Sequence, residues 1–416
     1  MDTGRKKWHS CKLHFSLENM EKLGRKLKLS DFTKISFDLF QFVGIRVYKY
    51  NPEEKKPLKE KIAFCMIMIN MMFHFYAKNC YPIYHSFDDP IELTAFACYA
   101  GFVVNSLCKI IAVWSGRFIL KEVLCKMEEI FPKTDESIIE YRLNEYYTKI
   151  EFYMRSLYIY HISTTTMFNF FPLGQSIVEK IITGGDFVYR FPFIIHYPFN
   201  EKKFPIFYFA YFYQIMAAYI LSCFFLGADL LLVAIVHLAC MHFDYLARKI
   251  TNFVPTGTDE DLIELGKFIR YHDDILSLSF KINEVFKVSI LMNYIASCGV
   301  ICMIGFQITA GSEILDMLKF FAFLISSLVH VYFICYFGSN LLQVSGDIAD
   351  AVFSHQWYKG NNKYMKNLPL LLARSHKPAF LTAFKFFMVS MESFKSLGTT
   401  SYQFFTLIKT KYDEEE

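Results

Sequence analysis

Charge is in short supply in this chain of 416 residues: Asp, Glu, Lys and Arg make up 20%, against about 25% in ordinary soluble proteins. That scarcity excludes a disordered, solvated polymer and argues against a typical cytosolic enzyme. Residues 1–30 contain no apolar core of the kind a secretory signal needs, so the chain is expected to insert through its own first hydrophobic segment and keep its amino terminus. External cysteine is almost absent. Of eleven Cys only Cys80 falls clearly on the outer side of the layout derived below, so no outer disulfide can be drawn. No nucleophile motif, phosphate loop or carboxylate pair stands out, which leaves enzymatic activity and any cofactor without positive support. An internal repeat, common in transporters, is missing too.

Apolar and aromatic mass is what the chain has. Hydrophobic residues reach 54%, with 46 Phe and 27 Tyr, and they cluster in long blocks. Measured against about 30 Å of hydrocarbon, seven stretches qualify as spans: 62–77 (extending to 84), 91–114, 150–171, 204–236, 288–310, 318–344, and a weaker one within 379–408. The predicted fold class is therefore an all-α integral membrane protein with seven transmembrane helices. The shorter piece 32–47 places Ile35, Leu39, Phe42 and Val43 at helical spacing and is predicted to lie along the inner membrane surface.

Basic residues orient the spans. Fifteen Lys and Arg lie in 1–61 and six in each of 115–149, 246–287 and 345–385, all on one side; the opposite side holds seven. The bias predicts a cytoplasmic amino terminus and an extracellular carboxy terminus, the reverse of a G-protein-coupled receptor. The basic run from Arg5 to Lys34 is broken by Glu18, Glu21 and Asp31. It reads as a membrane flank, with lipid rather than nucleic acid as its partner. The inner segments are too long for simple loops. In 246–287, Leu262, Leu265, Phe268, Ile269 and Ile275 recur at helical spacing after the breaker Pro255-Thr256-Gly257. The expected layout is a cytoplasmic segment 1–61, a bundle 62–344 with inner helical extensions at 115–149 and 246–287, an inner anchor 345–395, and an outer last helix with a short external tail at 396–416.

Polar groups inside spans carry more information, because an ionisable group at mid-bilayer costs at least about 2.5–3.5 kcal/mol. Asp229, in a run of Leu, Gly and Ala, is either an anchor facing an aqueous pathway or a satisfied member of the bundle. Lys109 and Arg155 sit near inner span ends and are expected to snorkel. His237, Cys240, His242 and Asp244, like Cys298 with Cys302, read as packing and polar helix end rather than as a metal site. In the seventh stretch only 396–408 is free of charge, about 20 Å of helix, and Ser396, Thr399, Thr400, Ser401, Gln403 and Thr406 make it polar. Such a helix belongs inside protein or beside water, which favours a channel. A transporter of small apolar molecules is the alternative from another class.

The carboxy-terminal third carries specific motifs. Ala351-Val352-Phe353-Ser354-His355-Gln356-Trp357-Tyr358 resembles the A-x-Y-x-S-x-W-Y region of insect odorant receptors. Leu370-Leu371-Leu372-Ala373-Arg374-Ser375-His376-Lys377-Pro378 is similar to their L-L-x-x-R-x-Q-K-P. Leu381-Thr382-Ala383-Phe384-Lys385-Phe386, Met391-Glu392-Ser393-Phe394 and Thr400-Ser401-Tyr402-Gln403-Phe404-Phe405-Thr406-Leu407 resemble L-T-A-G-K-F, S-L-E-T-F and S-Y-S-Y-F-T-L-L. The stretch 240–246 is similar to moth members in particular. His376 replaces the family's usual Gln and Phe384 its usual Gly. A gustatory-type chemoreceptor would end in T-Y, five apolar residues and Q-F; here Ile408-Lys409 follows Tyr402 at that distance. No large insertion occupies 246–287, so the resemblance points to a ligand-tuning subunit and not the coreceptor, Orco.

The resemblance implies a non-selective cation channel, gated by small volatile hydrophobic ligands and assembled with Orco as a heterotetramer in the plasma membrane of olfactory sensory dendrites. It places the pore on the last helix, with Tyr402, Gln403, Phe405, Thr406 and Lys409 at or near the gate; Gln403 and Phe405 have packing against neighbouring helices as their alternative. It also implies an odorant pocket in the outer halves of spans two to six. The aromatics available there are Phe96, Tyr99, Phe102, Tyr160, Phe168, Phe170, Tyr211, Tyr213, Phe306 and Phe323, each of which has ordinary packing or lipid contact as its alternative. The segment 172–203 is expected to cap that pocket.

Overall fold

A computed structural model describes residues 26–44, 90–193, 195, 197, 199–201, 203–309 and 314–415, with single helical positions at 62, 65, 66, 69 and 72. The first predicted span and Cys80 thus lie largely outside the described residues. The described chain is helical almost throughout. It runs α1 (Leu29–Phe42), α2 (Pro90–Ser115), α3 (Arg117–Ile130), α4 (Asp135–Glu140), α5 (Leu143–Thr183), α6 (Ile206–Asn252), α7 (Glu260–Thr309), α8 (Ile314–Ser354) and α9 (Asn362–Ser375). A two-stranded hairpin, β1 (Thr382–Ala383) and β2 (Phe387–Met388), then leads to α10 (Met391–Glu415).

Length is the defining feature of the bundle. Helices α5 to α8 hold 41, 47, 50 and 41 residues, which at 1.5 Å each is about 60–75 Å, roughly twice a bilayer core. Each must project well beyond the membrane, as predicted for 246–287. Among the described residues α2, α6, α7 and α8 are long and apolar enough to cross. Helix α6 is apolar on all faces, and all its residues from Ala217 to Phe243 are buried except Tyr219, the pattern of a central helix. Around it, α2, α5 and α8 bury one face and expose Val104, Ile111, Ile159, Ile181 and Phe321 on the other, large apolar side chains suited to lipid.

The reading of 32–47 as a surface-lying helix is corrected. Helix α1 is buried against α6, with Ser36 Oγ donating to the Gly227 carbonyl at 2.7 Å and the Phe40 ring against Gly227. Phe32 meets Phe131 and Tyr147 edge-on. Its hydroxyl residues Thr33 and Ser36 are fully buried, so the protein covers much more of the helix than the apolar stripe suggested.

At the end of the bundle remote from the loop between α5 and α6, the projecting helices pack into a base with α3, α4 and α9. The Pro255-Thr256-Gly257 break is secured by Asp261, which accepts from Thr256 N and Gly257 N at 3.0 and 2.7 Å; Gly257 sits at φ +81°, where glycine is favoured. Tyr141 stacks on Tyr245 at 3.8 Å and shares a hydroxyl contact with Tyr271 at 2.8 Å. His355 donates from Nδ1 to the Val352 carbonyl, so its Nε2 accepts the Tyr364 hydroxyl; both distances are 2.7 Å. Burial holds the His355 ring below its ordinary pKa and pushes Tyr364 up to about 12, so both stay neutral in the fold.

Within the seventh predicted stretch the helix takes up only the later part. Residues 379–390 are not helical: Thr382 and Ala383 pair antiparallel with Met388 and Phe387. The Asn283 side chain draws this segment to α7 by accepting from Thr382 N at 2.7 Å. Helix α10 starts after Ser390, whose hydroxyl caps Ser393 N. At the hairpin tip Phe384 takes a left-handed φ of +56°, at the position where the resembling motif has Gly. A bulky side chain is strained there by about 1–2 kcal/mol. Phe384→Gly is therefore expected to raise the thermal midpoint of the purified receptor by a few degrees; an unchanged or lower midpoint would mean the Phe384 side chain contributes as much as its backbone costs.

Candidate functional site

A cavity of about 110 Å³ lies where α2, α5, α6, α7 and α8 converge, of the same order as protein cavities of ~150 Å³ that hold a benzene ring. Helix α2 contributes Tyr99, Phe102 and Asn105, and α5 contributes His161, Thr165, Phe168 and Asn169. Ser222 and Phe225 come from α6, Ser297 and Val300 from α7, and Phe320, Phe323 and His330 from α8. Phe193, in the loop after α5, closes one side. Its ring stacks on Tyr99 at 4.1 Å and on Phe168 at 5.5 Å, and its backbone N–H donates to Gln214 at 3.1 Å. The walls are aromatic and the floor is polar, a form suited to a small apolar molecule held mainly by burial and shape.

Four of the aromatics singled out from sequence line this cavity: Tyr99, Phe102, Phe168 and Phe323. Phe96, Tyr160, Tyr211, Tyr213 and Phe306 lie elsewhere. Tyr211 donates its hydroxyl to the Asn169 carbonyl at 2.6 Å and packs near Phe207 and Phe191, while Phe306 is buried among other side chains. Phe170 faces outward, 46% exposed. Phe193, from the segment 172–203 expected to cap the pocket, belongs to the lining, as do Phe225 and Phe320, which the sequence does not single out.

Next to the lining residues His161 and His330 lies a buried polar group, Lys109 with Asp229, that is not itself part of the lining, and their pairing is not legible in the sequence. Lys109, expected to snorkel, is instead fully buried; its Nζ lies 2.7 Å from Asp229 Oδ2 and 3.3 Å above the Phe225 ring. The 2.5–3.5 kcal/mol penalty that makes an intramembrane charge rare is met here by pairing, so Asp229 is a bundle member with a partner. His330 Nδ1 is 3.4 Å from the same carboxylate oxygen, and His330 Nε2 is 2.9 Å from His161 Nδ1. His161 Nε2 and both side-chain polar atoms of Asn169 are buried without a protein hydrogen-bond partner. Arg155 does reach outward, pairing with Glu151 at 2.6 Å. The only sequence signal for that group was that Asp229 and Lys109 each stood alone in an apolar run.

On α10, Leu397 and Ser401 are fully buried. Phe405, two turns beyond Leu397 on the same face, lies against Gly305 of α7. Tyr402, Gln403 and Lys409 are exposed, and Thr406 is half-buried with its hydroxyl donating to the Gln403 carbonyl. Residues 402, 405, 406 and 409 follow i, i+3, i+4 and i+7 spacing on one side of the helix, and the Tyr402 and Phe405 rings lie 6.2 Å apart. Phe405 stands at the half-buried edge of that side, towards α7, while Tyr402 and Lys409 are exposed.

Comparison with known proteins bears directly on this architecture. The family model for the 7tm Odorant receptor matches residues 89–402. The chain belongs to the odorant receptor family. It is similar to Odorant receptor 67c of Drosophila melanogaster, 31% identical over 92% of this chain and 96% of that one, and to Odorant receptor 85c of the same fly, 29% identical over 92% and 99%. Its fold matches the insect olfactory receptor OR5 from Machilis hrabei in complex with eugenol, with a TM-score of 0.78, 14% identity and coverage of 92% and 98%. The receptor is thus a helical membrane protein of olfaction, not an enzyme, and its named relatives are individual odorant receptors and not the coreceptor.

Proposed function

We propose that this receptor is a ligand-tuning subunit: it binds small volatile hydrophobic odorants or pheromones in the cavity between α2, α5, α6, α7 and α8, and with Orco it forms an odorant-gated non-selective cation channel. The observation that carries this reading is the cavity itself, lined largely by aromatic side chains and bounded on one side by Phe193 stacked on Tyr99. A fold relative solved in complex with eugenol is consistent with it. The positive-inside bias favours the base as the cytoplasmic end, with 1–61 and 345–395 inside and 396–416 reaching the outer side, and placement on olfactory dendrites follows from this role. In the assembly the exposed α10 face with Tyr402, Gln403, Thr406 and Lys409 would meet the pore, while Phe405 would couple the pore helix to α7. To gate at all, the ligand must bind the open state more tightly than the closed one.

Whole-cell recording tests this. Cells expressing the receptor alone and with Orco are exposed to a panel of volatiles, with G-protein signalling blocked. The expected result is an odorant-evoked cation current only in the coexpressing cells. Ligand flux without current would overturn the channel reading in favour of transport.

A further inference from the structure

A buried row of polar groups, Lys109, Asp229, His330 and His161, reaches the cavity at its two histidines, and it has a direction. Asp229 Oδ2 can only accept, and it accepts from Lys109 at 2.7 Å. His330 Nδ1 lies 3.4 Å from the same oxygen, close enough to feel its charge though it makes no hydrogen bond there. Lys109 already matches the carboxylate charge, so each imidazole is neutral with one proton. A proton on His330 Nδ1 faces the carboxylate, whereas the opposite tautomer would set lone pair against lone pair. His330 Nε2 is then an acceptor, and the 2.9 Å contact requires that His161 Nδ1 carry the proton it receives. In the arrangement that the carboxylate's charge favours, His161 Nε2 is a bare lone pair. That atom is buried and has no partner in the protein, on a ring that lines the cavity and stacks on Phe225 at 5.6 Å.

We propose that the cavity selects ligands that donate a hydrogen bond, namely small alcohols and phenols, over ethers and aldehydes of the same shape, with His161 Nε2 as the acceptor. This rests on the reading of the cavity as the odorant site and names the chemical class it takes. An unpaired buried acceptor favours any ligand that satisfies it, and a site built to hydrogen-bond a hydroxyl rejects the analogue without one. Asn105 Oδ1 is a second buried acceptor of the lining without a partner, its amide N–H being given to Asn293 at 2.8 Å, and it favours the same class of donor. Asn169, also buried without a partner, offers both a donor and an acceptor, and Thr165 and Ser222 already pair with each other at 3.2 Å.

The test uses the full-length receptor coexpressed with Orco and compares matched pairs: the straight-chain primary alkanols from butanol to nonanol and a set of phenols, each against its own methyl ether. Each alcohol or phenol is expected to activate at about tenfold lower concentration than its ether, and His161→Phe is expected to remove that gap by weakening the alcohol alone. Equal potency within pairs, a preference for ethers or aldehydes, or silence to every alcohol and phenol overturns the proposal. The wild-type comparison decides the matter even where His161→Phe fails to reach the surface. Phe168→Ala separates the two levels. If it shifts both members of each pair while His161→Phe also shifts both alike, only the acceptor assignment falls; if it shifts no ligand at all, the cavity is not the odorant site.

Discussion

Asp229→Leu should strip most of the folded receptor from the cell surface, and Lys109→Met combined with Asp229→Leu should bring it back. The single substitution leaves the Lys109 ammonium fully buried without the one carboxylate that pairs with it among the described residues. Its remaining neighbours are the Phe225 face and the neutral His330. Breaking a buried ion pair from one side costs about 3–5 kcal/mol, while replacing both partners by apolar groups of similar size is often neutral or stabilising. Against a total stability of about 5–15 kcal/mol, the single change is severe. The measurement is the monodisperse fraction of detergent-solubilised receptor and its thermal midpoint for wild type, both single variants and the double variant. A stable Asp229→Leu would show that Lys109 reaches water or another anion; a double variant no better than the singles would show that the pair is needed for more than charge balance.

Gly338→Ala should disturb the last helix from a distance. A methyl at Gly338 on α8 would stand 2.7 Å from the Val389 carbonyl oxygen and 3.0 Å from Val389 Cγ1. The first is backbone and cannot swing aside. Val389 is tied to Leu381 by a 2.9 Å backbone hydrogen bond and stands two residues before α10, so the hairpin and the start of α10 must shift together. Overpacking of this kind costs about 1–3 kcal/mol. On the proposal that α10 lines the pore, the expected result is an altered unstimulated current with Orco, at equal surface expression and with the rank order of agonists unchanged, since Gly338 lies outside the cavity lining. A wild-type baseline would mean that the hairpin yields without moving α10.

Two details of the fold have local causes that sequence patterning under-reads. Within 379–408 the apolar Phe384, Phe386, Phe387 and Met388 hide where the last helix begins, because the Asn283 side chain captures Thr382 and a left-handed Phe384 turns the chain. The Ser390-Met391-Glu392-Ser393 cap that starts α10 was legible in principle, as a short hydroxyl signal ahead of a helix. Helix α1 was recognised as amphipathic, but the burial of Thr33 and Ser36 against α6 depends on the Gly227 carbonyl being available to Ser36.

What the sequence by itself determined is the membrane character, the positions of the helices, the break at Pro255-Thr256-Gly257 and the receptor family. These rest on composition, on runs of apolar residues and on motifs only a few residues long. What the tertiary structure alone decided is which side of each helix faces which neighbour. Helix α6 is apolar on every face, so no period distinguishes its cavity side from its other contacts. Tyr99 and Phe168 therefore line the cavity while Tyr213 and Phe306 do not, though all four looked alike in sequence. Lys109 found Asp229 across 120 residues, and His161 found His330 across 169. In a low-dielectric interior an isolated polar group is unstable until it is paired, and the packing of the helices chose the partner.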